Sequence, residues 1–70
     1  MSERFKYDIA IVGAGRVGLP LGLMLSKVGF KCFGVDRDDR LIDKVNNKEL
    51  PFLEPKFEEV IKEVDFKIYK

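Results

Sequence analysis

The chain has 70 residues, of which 46% are hydrophobic and 36% charged, a composition typical of one small folded domain and too apolar for a disordered segment. Thirteen basic against twelve acidic residues leave a net charge of +1, so no strong field favours nucleic acid or an anionic membrane as a partner. With no histidine and one cysteine, Cys32, the sequence excludes an internal disulfide, a histidine-activated nucleophile and a zinc site, so no metal is expected. The lone thiol and the lack of an apolar signal segment predict a cytoplasmic protein, too short to be a complete two-substrate enzyme.

The first half of the chain predicts a strand, a glycine-rich turn, a helix and a second strand. Residues 7–12 form an apolar, β-branched run that ends at a glycine, as a buried strand does. Residues 16–28 predict an amphipathic helix closed by Gly29, and residues 31–35 predict the second strand. Three- and four-residue spacing along the helix predicts a buried stripe of Val17, Leu21, Met24, Leu25 and Val28.

The second half predicts two helices and a third strand. One helix begins at Asp38 or Asp39 and ends at Asn46–Asn47, and the prolines in 50–55 predict a loop. Pro55 then opens a short helix, before a strand at 65–69. That helix carries an expected core stripe of Phe57, Val60, Ile61 and Val64. The order β-α-β-α-α-β predicts an α/β fold with a three-stranded parallel sheet, the Rossmann-like half of a truncated doubly wound fold.

The residues after the first strand, 13–18, match the pattern G-x-G-x-x-G. This pattern alone is weak, but here it follows a predicted strand, opens a predicted helix and precedes an acidic residue, Asp36, by eighteen positions. Gly13 permits the tight turn, Gly15 lets the backbone approach a pyrophosphate, and Gly18 allows the helix to pack closely on the strand. The N–H groups at the helix start then face the diphosphate. The sequence therefore predicts a dinucleotide-binding site.

Asp36, at the end of the second strand, predicts which dinucleotide is bound. A carboxylate there accepts hydrogen bonds from the adenosine ribose hydroxyls and repels a 2′-phosphate, which favours NAD over NADP. Arg37 and Arg40 are nearby cations of the kind that accommodate that phosphate, so NADP stays the alternative. The competing structural interpretations are a glycine turn without a ligand, a helix cap at Asp36, a solvated Arg16 and a core position for Cys32.

Three segments resemble the N-terminus of the UDP-glucose/GDP-mannose dehydrogenase family and together cover most of residues 7–70. They are Ile-Val-Gly-Ala-Gly-Arg-Val-Gly-Leu-Pro at 11–20, Gly-Phe-Lys-Cys-Phe-Gly-Val-Asp at 29–36, and Asn46-Asn47 followed by Pro51-Phe52-Leu53-Glu54-Pro55. The Gly-Leu-Pro after the fingerprint and the Pro-x-x-Glu-Pro loop distinguish this family from other dinucleotide folds.

The resemblance implies an NAD-dependent enzyme that oxidises the C6 hydroxyl of a nucleotide sugar twice, through a thiohemiacetal on a cysteine, to a uronic acid. It implies that the three glycines of the fingerprint, with backbone from Arg16 and Val17, hold the pyrophosphate and that Asp36 holds the ribose. The chain departs from the family at three positions. Arg16 replaces a common aromatic residue, Leu41 replaces a basic residue for which Arg37 or Arg40 substitutes, and Lys56 replaces a glycine.

The same resemblance implies that residues 1–70 are the N-terminal part of an NAD-binding domain, with the catalytic and sugar-binding parts absent. Cys32 does not match the catalytic cysteine's motif, and the chain alone is predicted to be inactive. The expected partners are NAD and, in a complete protein that is a homo-oligomer, a nucleotide-sugar substrate. The alternatives are a non-catalytic NAD-binding regulatory module and another NAD-dependent dehydrogenase on the same fold.

Overall fold

Three parallel strands and three α-helices follow one another in the predicted order. The computed structural model describes residues 7–15 and 17–70. The elements are β1 (Ile9–Val12), α1 (Gly18–Lys27), β2 (Cys32–Val35), α2 (Asp39–Asn46), a 3₁₀ helix (Pro55–Phe57), α3 (Glu58–Glu63) and β3 (Lys67–Tyr69). α2 has the predicted bounds, and the other helices and strands are slightly shorter than the sequence predicts. Within the described residues, no helix combines the length and the apolar character needed to span a membrane.

The strands form one parallel sheet in the order β1-β2-β3, which confirms the predicted sheet. Ile11 is in register with Gly34, and Gly34 with Ile68, so these three residues share one face of the sheet. All three are buried, and Ile11 and Ile68 belong to the core cluster together with residues of α1, α2 and α3. On the opposite face Phe33 packs against Tyr69 with ring centroids 5.9 Å apart. The helices therefore pack on one face of the sheet and build the core there.

The buried face of α1 differs from the predicted stripe. Leu19, Gly22 and Leu23 are the buried residues of this helix, and Leu25 is partly buried. The other four predicted residues are exposed: Val17, Leu21, Met24 and Val28. The prediction was wrong because α1 is apolar around most of its circumference, so spacing alone does not select a face. Close packing selects it, since a Cβ at Gly22 would lie 2.6 Å from the ring of Phe66.

The end of α1 is set by Gly29, as predicted. Gly29 has φ 115°, a left-handed conformation that disfavours side chains other than glycine. Its N–H donates to the carbonyl of Ser26 at 3.1 Å, and the N–H of Phe30 donates to the carbonyl of Leu25 at 3.0 Å. This pair of bonds is a Schellman motif, which satisfies carbonyl groups at the helix end and turns the chain into β2.

Both ends of α2 also agree with the sequence. Asp38 is the N-cap, and its Oδ1 accepts the N–H groups of Arg40 at 3.0 Å and Leu41 at 3.4 Å. At the other end, the side-chain amide of Asn46 donates to the carbonyl of Ile68 at 2.9 Å and accepts its N–H at 2.8 Å. The helix therefore covers a backbone position on the outer edge of β3, which shields that edge from pairing with another strand.

The predicted core of the second half is confirmed. Val60 and Ile61 are buried in α3, and Phe57 and Val64 pack against the core while partly exposed. Cys32 is a buried free thiol with 1% of its surface exposed, which confirms its interpretation as a core residue.

The outer edge of β1 predicts self-association. Among the described residues β1 pairs only with β2, and Val12 at its end is 82% exposed. An unpaired apolar edge is a template for another strand. We expect the isolated 70-residue chain to associate or partly unfold in sedimentation and thermal denaturation. A monomer with one cooperative melting transition would contradict this expectation.

Candidate functional site

The glycine-rich turn leaves β1 and enters α1 at the carboxyl end of the sheet. Gly13 has φ 81°, so the turn uses a backbone conformation that glycine adopts readily. Its N–H donates to the carbonyl of Val35 at 2.8 Å, which ties the turn to the end of β2. Ala14 is fully buried, and a Cβ at Gly34 would lie 3.1 Å from its side chain. The first two residues of the turn are therefore held against β2.

The next two glycines of the fingerprint have different surroundings. No atom of the described residues lies within 4 Å of the position that a Cβ would take at Gly15, apart from its chain neighbours. A Cβ at Gly18 would overlap the carbonyl oxygen of Gly13 and would lie 3.0 Å from Cγ2 of Ile11. Gly15 therefore leaves open space beside the backbone, whereas Gly18 allows the helix to pack against the strand. The close packing predicted at Gly18 is therefore present, and the approach of a pyrophosphate to Gly15 stays a prediction.

Asp36 follows β2 and is bound to two backbone N–H groups. Its Oδ2 accepts the N–H of Ala14 at 3.0 Å, and its Oδ1 accepts the N–H of Asp38 at 2.9 Å. The N–H of Asp36 itself donates to the carbonyl of Tyr69 at 2.9 Å, which aligns the ends of β2 and β3. Because Asp38 is the N-cap of α2, the structure does not support the interpretation of Asp36 as a helix cap.

The backbone contacts keep Asp36 ionised. The N–H of Asp38 lowers the pKa of the Asp36 carboxyl below its usual value. The N–H groups of Ala14 and Arg37 act in the same direction, as does the charge of Arg37, and desolvation opposes them. A lowered pKa means that the folded state binds the proton less tightly than the unfolded state does. The carboxylate therefore stabilises the fold above the usual Asp pKa, and this contribution is lost as the pH falls through the lowered value.

The lowered pKa of Asp36 predicts how the stability of the protein changes with pH. We expect the difference in unfolding free energy between wild type and Asp36→Asn to stay constant from neutral pH to about pH 5 and to shrink below about pH 4. Urea titrations of both proteins across this range provide the measurement. A difference that shrinks between pH 8 and 6 instead would show that another group is responsible.

A cleft of about 410 Å³ lies at the carboxyl ends of all three strands. Its lining residues are Val12, Gly13, Val35, Asp36, Arg37 and Lys70. The structure thus places Gly13, Asp36 and Arg37 in one cleft, next to the turn that carries Gly15. Parallel strands place their carboxyl ends at one edge of the sheet, which is where open α/β sheets bind ligands.

Not every predicted site residue lies in this cleft. Arg40 is an exposed residue of the first turn of α2 and does not line it, so Arg37 is the better placed of the two arginines. Val17 is 83% exposed at the start of α1, and Arg16 lies outside the described residues. For both residues the predicted contact with the diphosphate is made by the backbone and not by the side chain.

Lys70 is a cleft residue that the sequence analysis missed. It follows β3 directly, and its Nζ lies 3.1 Å from Oδ1 of Asp39 at the start of α2. The available signal was its position, because a residue just after the third parallel strand must lie near the residues just after the first two. Lys70 adds a second cation to the lining of the cleft, which also includes Arg37.

Comparison with known proteins identifies the family of this chain. Residues 7–68 match the family model described as UDP-glucose/GDP-mannose dehydrogenase family, NAD binding domain. The chain belongs to the UDP-glucose/GDP-mannose dehydrogenase family. Its matched part is the NAD-binding domain of that family, so the expected fold and the expected cofactor, NAD, are both confirmed.

Curated relatives in the family include two kinds of dehydrogenase. The UDP-glucose 6-dehydrogenase of Rickettsia prowazekii (strain Madrid E) is 38% identical over 55 residues, which are 79% of this chain and 13% of the relative. The UDP-N-acetyl-D-mannosamine dehydrogenase of Methanococcus maripaludis (strain C7 / ATCC BAA-1331) is 34% identical over 58 residues, 79% of this chain and 14% of the relative. The chain therefore spans only about one-seventh of the length of these relatives.

A solved structure of a family member has the same fold. The UDP-N-acetyl-mannosamine dehydrogenase Cap5O from S. aureus superposes with a TM-score of 0.81 and 35% sequence identity. The match covers 87% of this chain and 16% of that protein. The structural likeness therefore extends over nearly all of the described residues.

The residues of the cleft and of the adjoining turn fit the cofactor of the family. The open space at Gly15 admits a diphosphate next to the backbone, and the ionised Asp36 offers acceptors for the hydroxyls of a ribose. Among the described residues, the N–H of Gly15 has no hydrogen-bond acceptor, so it can donate to a phosphate oxygen. A donor for the diphosphate and an acceptor for the ribose thus occur in one neighbourhood.

Proposed function

We propose that this chain is the N-terminal, NAD-binding part of a nucleotide-sugar 6-dehydrogenase. The proposed enzyme oxidises the C6 hydroxyl of a UDP-sugar, of the UDP-glucose or UDP-N-acetylhexosamine type, to the uronate. The observation that carries the proposal is the convergence of the glycine-rich turn and Asp36 on one cleft in a chain of this family. The limited share of its relatives that the chain spans supports placing the catalytic and sugar-binding parts elsewhere in a longer protein.

In the proposed site each part of the turn has a separate role. Gly13, Gly15 and Gly18, with backbone N–H groups from Arg16 and Val17, hold the diphosphate. Asp36 accepts the hydroxyls of the adenosine ribose. NAD accepts a hydride when it is bound, and this chain's contribution is to hold the cofactor and to set its orientation.

The charge of Asp36 supports a preference for NAD over NADP. Its pKa is lowered, so the carboxylate is ionised at neutral pH and repels the 2′-phosphate of NADP. Arg37 and Lys70 also line the cleft, and their positive charges favour the 2′-phosphate of NADP. The preference for NAD therefore depends on Asp36. We further propose a cytoplasmic homo-oligomer, in line with the lone buried cysteine and with the exposed apolar residues of α1.

An assay of the full-length protein tests the proposal. NADH formation is followed with UDP-glucose, UDP-N-acetylmannosamine, UDP-N-acetylglucosamine and GDP-mannose as separate substrates. We expect turnover with one of the UDP-sugars and two NADH per sugar, because oxidising an alcohol to a carboxylate removes four electrons. NAD binding without turnover of any nucleotide sugar would overturn the enzyme assignment and favour a regulatory NAD-binding module.

A further inference from the structure

Asp36 holds the glycine-rich turn in place with the carboxylate that is proposed to bind the ribose. Of its two oxygens, Oδ2 accepts the N–H of Ala14 in the turn, and Oδ1 accepts the N–H of Asp38 ahead of α2. These distances, 3.0 and 2.9 Å, are those of well-formed hydrogen bonds. The carboxylate therefore links the turn to the segment between β2 and α2.

The turn has backbone and packing contacts on either side of this bond. Gly13 donates its N–H to Val35, and the buried side chain of Ala14 packs near Gly34. Beyond Ala14 the chain enters the open space around Gly15, where a side chain would meet no described atom. The bond from Ala14 to Asp36 is the last hydrogen bond on the strand side of Gly15, and on the helix side the carbonyl of Gly15 accepts the N–H of Leu19 at 2.9 Å.

The two roles of Asp36 are compatible. An ionised carboxylate has about four lone-pair sites, and the two N–H groups use two of them. The remaining sites can accept ribose hydroxyls without releasing Ala14 or Asp38. A ribose then binds to a carboxylate that the protein backbone has already oriented, which lowers the entropy lost on binding.

We propose that Asp36 is a positioning residue for the diphosphate-binding turn, in addition to its role as the ribose acceptor. This inference rests on the proposed NAD site and goes further, because it states that Asp36 contributes to binding a diphosphate that it does not touch. Only a residue with two acceptors can serve both N–H groups. In Asp36→Asn one acceptor becomes an N–H₂ donor, so one of the two backbone N–H groups loses its partner.

A ligand without ribose hydroxyls separates the two roles. We choose 2′,3′-dideoxyadenosine diphosphate, which retains the diphosphate and lacks both hydroxyls. On charge alone, Asp36→Asn removes a negative group near the diphosphate and tightens its binding. If Asp36 positions the turn, the same substitution weakens binding, so the two explanations predict opposite signs.

The matched control is Asp38→Asn. It removes the same charge two residues away, and asparagine is as good an N-cap as aspartate, so α2 stays capped. The side chain of Asp38 makes no hydrogen bond to the turn within the described residues. Its effect on the affinity for the dideoxy ligand therefore measures the contribution of charge alone.

In the full-length protein, calorimetry is expected to show about threefold or greater loss of affinity for the dideoxy ligand in Asp36→Asn, equivalent to about 0.65 kcal/mol. Asp38→Asn is expected to show unchanged or tighter binding. The melting temperature of Asp36→Asn should stay within about 3 °C of wild type, so that the lost affinity is not a consequence of unfolding. Equal or tighter binding of the dideoxy ligand by Asp36→Asn would overturn the proposal.

Amide exchange without any ligand gives an independent readout. We expect the N–H of Ala14 to exchange about tenfold faster than in wild type when Asp36→Ala removes both acceptor oxygens, and to be unchanged in Asp38→Asn. Unchanged exchange at Ala14 in both variants would also refute the positioning role. If wild type failed to bind NAD, the proposed function would fail, while the exchange at Ala14 would still test the role of Asp36.

Discussion

Replacing Gly15 by valine is expected to reduce the affinity for NAD by about a hundredfold or more, equivalent to about 2.7 kcal/mol. The open space around Gly15 is where the backbone is proposed to approach the diphosphate, and a branched side chain would fill it. The same openness means that the Cβ of the valine meets no described atom beyond its chain neighbours. The melting temperature should therefore change by no more than about 3 °C.

Calorimetry with NAD and thermal unfolding of the same samples provide both measurements. Gly18→Ala is the contrasting variant, because its Cβ would overlap the backbone carbonyl of Gly13, which cannot move without distorting the turn. It should lower the melting temperature as well as the affinity. Wild-type affinity in Gly15→Val would refute the assignment of this turn to the diphosphate.

Replacing Phe66 by alanine is expected to lower the free energy of unfolding by about 3–5 kcal/mol. Phe66 precedes β3 and is fully buried. The absence of side chains at Gly22 and Gly34 makes room for its ring, since a Cβ at either position would lie 2.6 Å and 3.2 Å from it. Alanine would leave a cavity between α1 and the sheet that two glycines cannot fill.

The matched control for this change is Phe30→Ala. Phe30 lies between α1 and β2 and is 47% exposed, so its truncation should reduce stability by about 1 kcal/mol or less. Urea titrations at one protein concentration compare the two variants, because association would otherwise change the apparent stability. Equal losses in the two variants would show that Phe66 is not the centre of the core.

The residues of the candidate site were largely predictable from the sequence. The predicted roles fall on Gly13, Gly15, Gly18 and Asp36, and each prediction rests on a local property: a left-handed turn, open backbone, close packing, or a charge at a strand end. Strand and helix order likewise follows from hydrophobic runs and from residues such as Gly29 and Asp38 that end or begin helices within a few positions. Such local signals do not depend on the rest of the fold.

The buried side of α1 was not predictable in this way. Leucines occur around most of the helix, and the spacing analysis selected the wrong stripe. The correct face depends on Phe66, more than forty residues later in the chain, whose ring requires the glycine at position 22. Packing between distant residues chooses among faces that periodicity leaves equivalent.

The cleft also combines features that the sequence predicts with features that only packing decides. By itself the sequence determined that a glycine turn and an acidic residue would meet at the end of parallel strands, because both lie directly after strands. Tertiary structure alone decided that Arg37 and not Arg40 lines the cleft, and that Asp36 accepts the N–H of Ala14. The physical reason is that strand order and register, set by packing over the whole sheet, determine which loop ends are neighbours.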